Sequence, residues 1–407
     1  MTEHPAATSR PPQPTSGSAR LVPRPDGAFG PAAERNGRVV RLRTARASRG
    51  VLRARAATRQ AGFTAERIPM GLLRRHPILF SDGRAHDAQR AELARFFAPR
   101  VVEERDRAHM EAAADRLLSS KPPRAVCRFD VLALRYSVEV SARIVGLTES
   151  PAARLGHRLE AFFRQPPLDM SREDLGRTRA DWALAAWRGL VPLVRLHLLD
   201  VLPAIRARRR KPGEDIVSRL LADGCSDLEI LVECATYGTA GMVTTRELIA
   251  LAAWRLLSDS GLRAVFLAAG RDERLDMLAE MLRLDPVVGR LYRRVTEDLP
   301  DEGGGVLRSG YLIEIQVDAA SADEGAVGPC PHAFDHRRAV AAGMDRSGFA
   351  FGDGAHRCPG RHLALLQAEA MLGPLLERGA ELVRPPEVEW SDLLAGYGLR
   401  GMLVRWR

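Results

Sequence analysis

The sequence predicts a mainly α-helical fold with small β-sheets, and three stretches carry that prediction. A capping-box motif from Ser226 to Glu229 begins an apolar run that reaches Leu257, which predicts a long helix through the core. Residues 101–220 are patterned mostly as helices. The segment after Cys358 has apolar residues at roughly helical spacing, namely Leu363, Leu366, Ala370 and Leu376.

Residues 1–35 have the composition of a disordered tail, rich in proline and arginine. Residues 1–60 contain twelve arginines and three acidic residues, and this surplus of nine is most of the net charge of +10. The arginines are not interleaved with aromatic residues on a basic face, so nucleic-acid binding is not predicted. The stretch also lacks the amphipathic periodicity of a transit peptide.

The remaining composition is that of a globular intracellular protein, with 45% apolar residues among 407. Five cysteines are scattered without paired spacing, which favours a reducing compartment over a disulfide framework. No apolar run is long enough for a membrane span, and no signal-peptide core is present. We therefore expect a cytoplasmic protein that does not insert into membranes.

The stretch 349–361, FAFGDGAHRCPGR, predicts a tight loop that presents one thiol. Gly352 and Gly354 permit positive φ, and Pro359 is suited to the first position of the helix that follows. A helix N-terminus is expected to lower the pKa of the Cys358 thiol. A single thiolate without a second cysteine or histidine at zinc spacing suits an axial haem ligand. The alternative is one more buried structural cysteine.

Residues 351–360, FGDGAHRCPG, resemble the haem loop F-G-x-G-x-H-x-C-x-G of the cytochrome P450 family, and further family segments recur over roughly residues 36–407. The resemblance implies one haem-thiolate catalytic domain over 36–407 with the cytochrome P450 fold. It implies haem b (iron protoporphyrin IX) with Cys358 as its proximal ligand. His356 would contact a haem propionate, and Phe351 would pack on the thiolate side.

His86 and Arg90 are four residues apart, so on a helix they share one face and can hold one anionic group. This pair resembles the family's H-x-x-x-R element, which implies a propionate as that anion. A solvated polar helix face is the alternative for the segment by itself. Arg293, with Arg294 as the fallback, resembles the arginine that meets the other propionate.

The core helix carries Ala240-Gly-Met-Val-Thr-Thr245, which resembles the family's oxygen-binding element A/G-G-x-D/E-T-T. The resemblance implies that Gly241 leaves room for dioxygen and that Thr244, with Thr245, supplies hydroxyl groups there. The alternative is a threonine that bonds back to the carbonyl one turn earlier. Val243 stands at the acidic position and cannot relay protons, which leaves water held by the threonines, a substrate hydroxyl or peroxide as routes.

Three further segments have structural interpretations. Glu280 and Arg283 resemble the family's buried E-x-x-R pair, which implies a lock behind the haem. Residues 311–317 are typical of a strand, and residues 396–404 of a terminal hairpin. The chain before residue 60 is shorter than the family pattern, so a reduced N-terminal sheet is expected.

The resemblance implies a monooxygenase that inserts one atom of O₂ into a small organic substrate, as in secondary metabolism. A ferredoxin or flavodoxin with its NAD(P)H reductase would supply electrons to a monomer, docking near Arg357 and Arg361. A peroxide-driven peroxygenase remains an alternative, because residues 356–360 also resemble that branch. Val243 keeps a non-oxygenating haem-thiolate protein as another. Pro359 has no N–H, so one donor to the sulfur is absent, which predicts a more strongly donating thiolate.

Overall fold

The computed structural model describes residues 20–23, 30–62, 73–170, 172, 175–301, 304–392 and 395–407. Most of the predicted tail therefore lies outside the described residues. Within that predicted tail, Arg20 and Val22 are buried and residues 33–35 belong to a strand, so the tail composition does not describe these positions.

Sixteen α-helices cover about half of the described residues and are numbered in chain order. They are α1 (Ala45–Arg53), α2 (Gly83–Phe97), α3 (Pro99–Val101), α4 (Arg107–Ser119), α5 (Phe129–Val145), α6 (Ala152–Ala161), α7 (Arg179–Leu196), α8 (Leu202–Arg210), α9 (Ile216–Ala222), α10 (Asp227–Tyr237), α11 (Thr244–Ser258), α12 (Ser260–Ala268), α13 (Arg271–Leu284), α14 (Val317–Ser321), α15 (Glu324–Val327) and α16 (Arg361–Glu377). Three segments are π-helical: Val102–Asp106, His197–Val201 and Gly238–Val243. The predicted mainly helical fold is confirmed.

Twelve short strands form small sheets at the periphery of the described helices. They are β1 (Ala33–Asn36), β2 (Val39–Leu42), β3 (Thr58–Ala61), β4 (Val126–Arg128), β5 (Arg290–Val295), β6 (Leu299–Pro300), β7 (Val306–Leu307), β8 (Leu312–Gln316), β9 (Glu381–Arg384), β10 (Glu387–Ser391), β11 (Gly396–Arg400) and β12 (Leu403–Arg405). The main sheet has the order β1-β2-β8-β5-β3, in which β2 and β8 are parallel.

Two expectations about strands were wrong. The N-terminal sheet is not reduced, because β1, β2 and β3 supply three of the five strands of the main sheet. Residues 396–404 do not form a hairpin, because β11 pairs with β10 whereas β12 pairs with β4 and β9. Gly401, with φ of 70°, turns the chain from one sheet to the other. The sequence between β11 and β12 shows a turn, but this turn leads into another sheet, in which β4 and β9 flank β12.

The core lies between the central helices. α11 packs against α5 on one side and α16 on the other, so the helix after the cysteine loop and the helix of the AGMVTT element share one core. Eleven residues of α11 are buried, as expected of a helix apolar on nearly all sides. No helix in the described part of the chain is both long and apolar enough to cross a bilayer.

Residues 20–22 attach the N-terminal segment to this core. The Arg20 guanidinium donates to the carbonyl of Leu284 at 2.6 Å, and the backbone N–H of Leu21 donates to the Asp285 carboxylate at 3.1 Å. Arg255 of α11 donates to the same carboxylate at 2.6 Å. A buried carboxylate therefore joins the N-terminal segment, α11 and the end of α13.

Candidate functional site

The loop before α16 is held by its own backbone. Gly352 and Gly354 have φ of 69° and 68°, which confirms the predicted need for glycine. A Cβ at Gly354 would lie 2.2 Å from the carbonyl oxygen of Leu52, so no side chain fits there. The Cys358 N–H donates to the carbonyl of Phe351 at 2.8 Å, which closes the loop and fixes the thiol.

The surroundings of the thiol differ from the prediction in two ways. α16 begins at Arg361 with Gly360 as its N-cap, so Pro359 precedes the helix and the sulfur is a full turn away from its first residue. Burial raises the pKa of the Cys358 thiol, although the Gly360 N–H, which donates to the sulfur, and the charge of Arg90 oppose this. The predicted lowering was wrong because desolvation of the thiolate outweighs the helix terminus.

Four predicted cofactor residues come together beside this loop. The rings of His86 on α2 and His356 are stacked, with centroids 4.1 Å apart. His356 Nε2 lies 3.0 Å from Oδ1 of Asp82. Burial, together with the charges of the nearby His356 and Arg90, lowers the pKa of His86 to about 4. His86 is therefore neutral at pH 7.

The two arginines of this cluster are short of negative partners. Burial lowers the pKa of Arg90 and lowers that of Arg293 to about 10. Arg293 donates to the side-chain oxygen of Gln60 and to its neighbour's carbonyl, and Arg90 makes no hydrogen bond or ion pair with the described residues. Arg294, the fallback, points instead to the carbonyl of Gly310 at an exposed position. Asp82 thus acts on Arg293 and both histidines, and Asp87 lies 3.9 Å from Nδ1 of His86, but neither carboxylate pairs with Arg90.

A second group of charges holds the loop from outside. Asp345 accepts from Arg357 and lies 2.8 Å from Nε of Arg361, so both arginines predicted for partner docking are ion-paired within the chain. Burial alone would raise the pKa of Asp345, but Arg361, Arg357 and Ser347 lower it overall. The Arg361 guanidinium also lies 5.9 Å from the ring centroid of Phe351, which packs partly buried against the core.

The predicted Glu280–Arg283 pair is buried, as the resemblance implied. Both side chains are 0% exposed, and Arg283 Nε lies 2.7 Å from Glu280 Oε2. Arg283 also donates to the carbonyl of Ser321, while Glu280 accepts from the Asp335 N–H and from Arg338. The pair therefore ties α13 to the segment that leads into the cysteine loop.

The AGMVTT element is distorted, as the resemblance implied. Residues Gly238–Val243 are π-helical, and Ala240 and Gly241 are exposed although the flanking turns of the helix are buried. A Cβ at Gly241 would meet no atom within 4 Å, so there is open space beside the helix. Val243 itself is buried.

The two threonine hydroxyls both bond back to the helix, which is the alternative considered for this segment. Thr244 Oγ1 donates to the Ala240 carbonyl at 2.6 Å, and Thr245 Oγ1 donates to the Gly241 carbonyl at 2.7 Å. Threonine hydroxyls that bond back to the preceding turn in this way accompany bent helices. Each hydroxyl oxygen keeps lone pairs that can accept a hydrogen bond from water.

Sequence reasoning missed three charged residues of the site. Asp82 occupies the N-cap position of α2, but its side chain does not cap the helix. Its carboxylate accepts from the Gln60 N–H and lies 3.0 Å from Nε2 of His356. Arg338 and Asp345 are the other two, and both act through partners distant in sequence. An aspartate directly before a predicted helix was a signal for Asp82; nothing local marked the others.

A cavity of about 1220 Å³ lies away from this cluster. It is lined by the start of α5, by residues 163–167 and by β10 and β11, with charged groups that include Arg128, Glu160, Arg246 and Arg400. Its lining, drawn from the described residues, includes none of the predicted site residues.

Comparison with known proteins identifies the class. A family model described as Cytochrome P450 matches residues 276–381. The cytochrome P450 monooxygenase PikC of Streptomyces venezuelae is 30% identical over 352 residues, which are 82% of this chain and 76% of PikC. The structure of CYP164A2 of Mycobacterium smegmatis is 26% identical with a TM-score of 0.73, covering 90% of this chain and 91% of that one. A cytochrome P450-like monooxygenase involved in microbial secondary metabolism has a TM-score of 0.76 at 19% identity, covering 94% and 96%.

These matches define a haem-thiolate protein of the bacterial type. The chain belongs to the cytochrome P450 family. It is a haem-dependent monooxygenase that inserts one oxygen atom from O₂ into a small organic substrate. The comparisons do not favour the peroxide-driven or the non-oxygenating alternative.

Proposed function

We propose that the enzyme holds haem b through Cys358, with His86, Arg90, Arg293 and His356 around its propionates. The observation that carries this proposal is the meeting of the Cys358 thiol with two buried arginines, Arg90 without an ion pair to the described residues and Arg293 without a hydrogen bond to a carboxylate. Two propionates supply the missing negative charge, and Arg side chains bind carboxylates well. Haem b, when bound, supplies the activation of dioxygen that monooxygenation requires.

Gly241, Thr244 and Thr245 form the oxygen side of the proposed site. Open space at Gly241 gives dioxygen and a substrate room against the helix. Because each threonine hydroxyl donates to a helix carbonyl, its oxygen is available as an acceptor and orders a water molecule beside the reacting atoms. With Val243 in place of an acid, protons reach this point through such water or through a substrate hydroxyl.

A ferredoxin or flavodoxin, reduced by an NAD(P)H reductase, is the proposed electron donor. Arg357 is half exposed and Arg361 less so, and both share Asp345, so the local positive charge at this face is smaller than the sequence implies. We propose that docking uses this face with a contribution from Arg357. We also propose a cytoplasmic monomer in which 36–407 is the single catalytic domain; the five free cysteines fit a reducing compartment.

We infer the kind of substrate from the pathways in which similar proteins act rather than from the residues of the site. We propose secondary metabolism, because a solved monooxygenase of similar fold is involved in it. A screen of small organic molecules for shifts of the ferric haem spectrum identifies ligands without prior assumption. Turnover with NAD(P)H and both kinds of redox partner, compared with turnover on peroxide alone, then tests the oxygen-dependent reaction.

The visible spectrum tests haem ligation directly. Wild type is expected to bind haem and to give a thiolate-type spectrum when reduced under carbon monoxide. Cys358→Ser is expected to lose that spectrum, whereas Cys330→Ser, at an exposed position, retains it. An unchanged carbonyl spectrum in Cys358→Ser would contradict the proposal, as would a wild type that takes up no haem.

A further inference from the structure

The helix α7 and its π-helical extension carry an unusual amount of exposed apolar surface. Among the described residues, six of the twelve exposed large hydrophobic side chains lie between positions 184 and 199. They are Leu184, Trp187, Leu190, Val194, Leu198 and Leu199. Trp187 is 67% exposed and Leu190 is 57% exposed, values that a surface without a partner rarely shows in so contiguous a group.

The body of the protein already covers the other side of this helix. Ala185, Pro192 and Leu196 are its buried residues, and they recur at spacings of seven and four, which defines the inner face. The helix therefore has two apolar faces, one packed inward and one towards solvent. Packing against the rest of the chain explains why the inner face is apolar, but it does not explain why the outer face is apolar.

The spacing of the outer face indicates what fits it. Leu184, Trp187, Val194 and Leu198 are exposed, and with the half-buried Val191 between them they are separated by three, four, three and four residues. That is the a/d repeat of helices that pack side by side with interlocking side chains. We name these five residues the α7 seam. A partner helix of about the same length fits this seam.

The charges beside the seam indicate the sign of the partner. Arg188 and Arg195 are exposed, each follows a seam residue, and neither has an ion pair with the described residues. Such positions form ion pairs across a helix pair. The acidic residues of this helix are engaged elsewhere, because Asp181 completes the capping box with Thr178 and the buried Asp200 binds Arg158. The free charge of the outer face is therefore positive.

A second copy of the chain is a poor occupant. Antiparallel pairing about Val191 would bring Arg188 of one copy beside Arg195 of the other, and like charges across a seam destabilise it. We propose that the α7 seam docks a helix of an acidic protein, which covers the apolar residues and pairs with Arg188 and Arg195. This site is independent of the haem site and of the redox-partner face proposed above.

Binding of a designed peptide tests the seam. The probe is a labelled helical peptide of about three heptads with leucine at a and d and glutamate at the flanks. It is titrated against the haem-loaded full chain by fluorescence anisotropy, with a scrambled peptide of the same composition as reference. Trp187→Ser/Val194→Ser is expected to weaken binding by about tenfold. Val126→Ser/Val383→Ser, which removes equally exposed apolar groups elsewhere, is expected to leave it unchanged.

A charge exchange tests the sign. Arg188→Glu/Arg195→Glu is expected to lose the glutamate-flanked peptide and to gain a lysine-flanked one. Equal binding of the scrambled peptide, or no effect of either double variant, overturns the proposal. So does a dimer in analytical ultracentrifugation that Trp187→Ser/Val194→Ser dissociates, which assigns the seam to a second copy. Seam-dependent binding to phosphatidylglycerol vesicles without peptide binding assigns it to a membrane surface instead. The haem spectrum of each variant verifies its fold.

Discussion

On the cysteine side of the proposed haem site, buried charge does the positioning, whereas on the oxygen side the chain relies on small and apolar residues. Glu280, Arg283 and Arg338 form a closed ionic network behind the loop, and Asp345 holds its outer arginines. In the helix on the oxygen side, Val243 is buried, and the hydroxyls of Thr244 and Thr245 donate to carbonyls of the same helix. One side is fixed by partners from several segments, and the other is a local distortion of one helix.

The difference shows where each kind of change is tolerated. Removing one member of a closed network of buried charges strongly destabilises the fold, because the remaining charges stay buried without partners. A helix opening depends on side-chain volume and on hydrogen bonds within one turn. We therefore expect variants on the cysteine side to affect stability most, and variants on the oxygen side to affect how electrons are used.

The largest effect is expected for Arg283→Met. Removal of the guanidinium leaves Glu280 buried with fewer donors, so the free energy of unfolding should fall by about 3–5 kcal/mol. Chemical denaturation of the haem-loaded protein measures it. Arg100→Met, which breaks the exposed pair with Glu104, should cost less than about 1 kcal/mol. Similar losses in the two variants would contradict the contrast between buried and surface pairs.

A carboxyl on the oxygen-side helix sharpens the comparison. Glu233 of α10 is buried, and its Oε1 accepts from the Ile78 N–H at 3.1 Å. Burial raises its pKa from 4.5 to about 7, and the nearby Arg75 only partly offsets this. Because the folded chain binds the proton more tightly, this group stabilises the fold below pH 4.5 and the benefit is lost as pH rises through about 7.

Glu233→Gln should remove that pH dependence. Wild type is expected to lose up to about 3 kcal/mol relative to the variant between pH 4.5 and pH 8, measured as the difference in free energy of unfolding across the range. Glu104→Gln, at an exposed position, is the control and should follow wild type. Parallel curves for wild type and Glu233→Gln would show that this carboxyl does not titrate in the folded protein as described.

Val243→Asp tests the missing acid. A carboxyl at this buried position should lower stability by about 1–3 kcal/mol and should change the fraction of NAD(P)H electrons that reach product, with less peroxide released. Val243→Asn carries a similar desolvation cost but cannot deliver a proton from a carboxyl. Peroxide release that is the same in wild type and in both variants would count against a role of position 243 in proton supply.

The smallest effect is expected for Pro359→Leu. The sulfur already accepts from the Gly360 N–H, so a leucine N–H at 359 adds to an existing donor rather than supplying the first one. A second hydrogen bond should make the thiolate a weaker donor and raise the iron reduction potential by up to about 60 mV, equivalent to about 1.4 kcal/mol. Spectroelectrochemical titration measures the shift. A potential that does not move would refute any influence of Pro359 on the thiolate.

Local patterns predicted a good part of this protein. The capping box at Ser226, the glycine requirement at Gly354, the buried Glu280–Arg283 pair and the distortion around Gly241 all agree with the sequence-based interpretation. The family and the monooxygenase activity are likewise confirmed. The capping box, the pairing of Glu280 with Arg283 and the positive φ of Gly354 depend on neighbours within a turn or a loop, so the sequence order contains their physical cause.

Tertiary structure decided the rest. The contacts of Asp82 with His356, of Arg338 with Glu280 and of β12 with β4 join residues far apart in the chain, and residue type does not specify which partner is met. The pKa of Cys358 rises because packing removes water from the thiol, which no local helix signal reveals. Residue order indicates the cysteine loop and the basic side chains of the proposed haem site, whereas packing adds Asp82, Arg338 and Asp345 and sets what each group faces and how strongly it is desolvated.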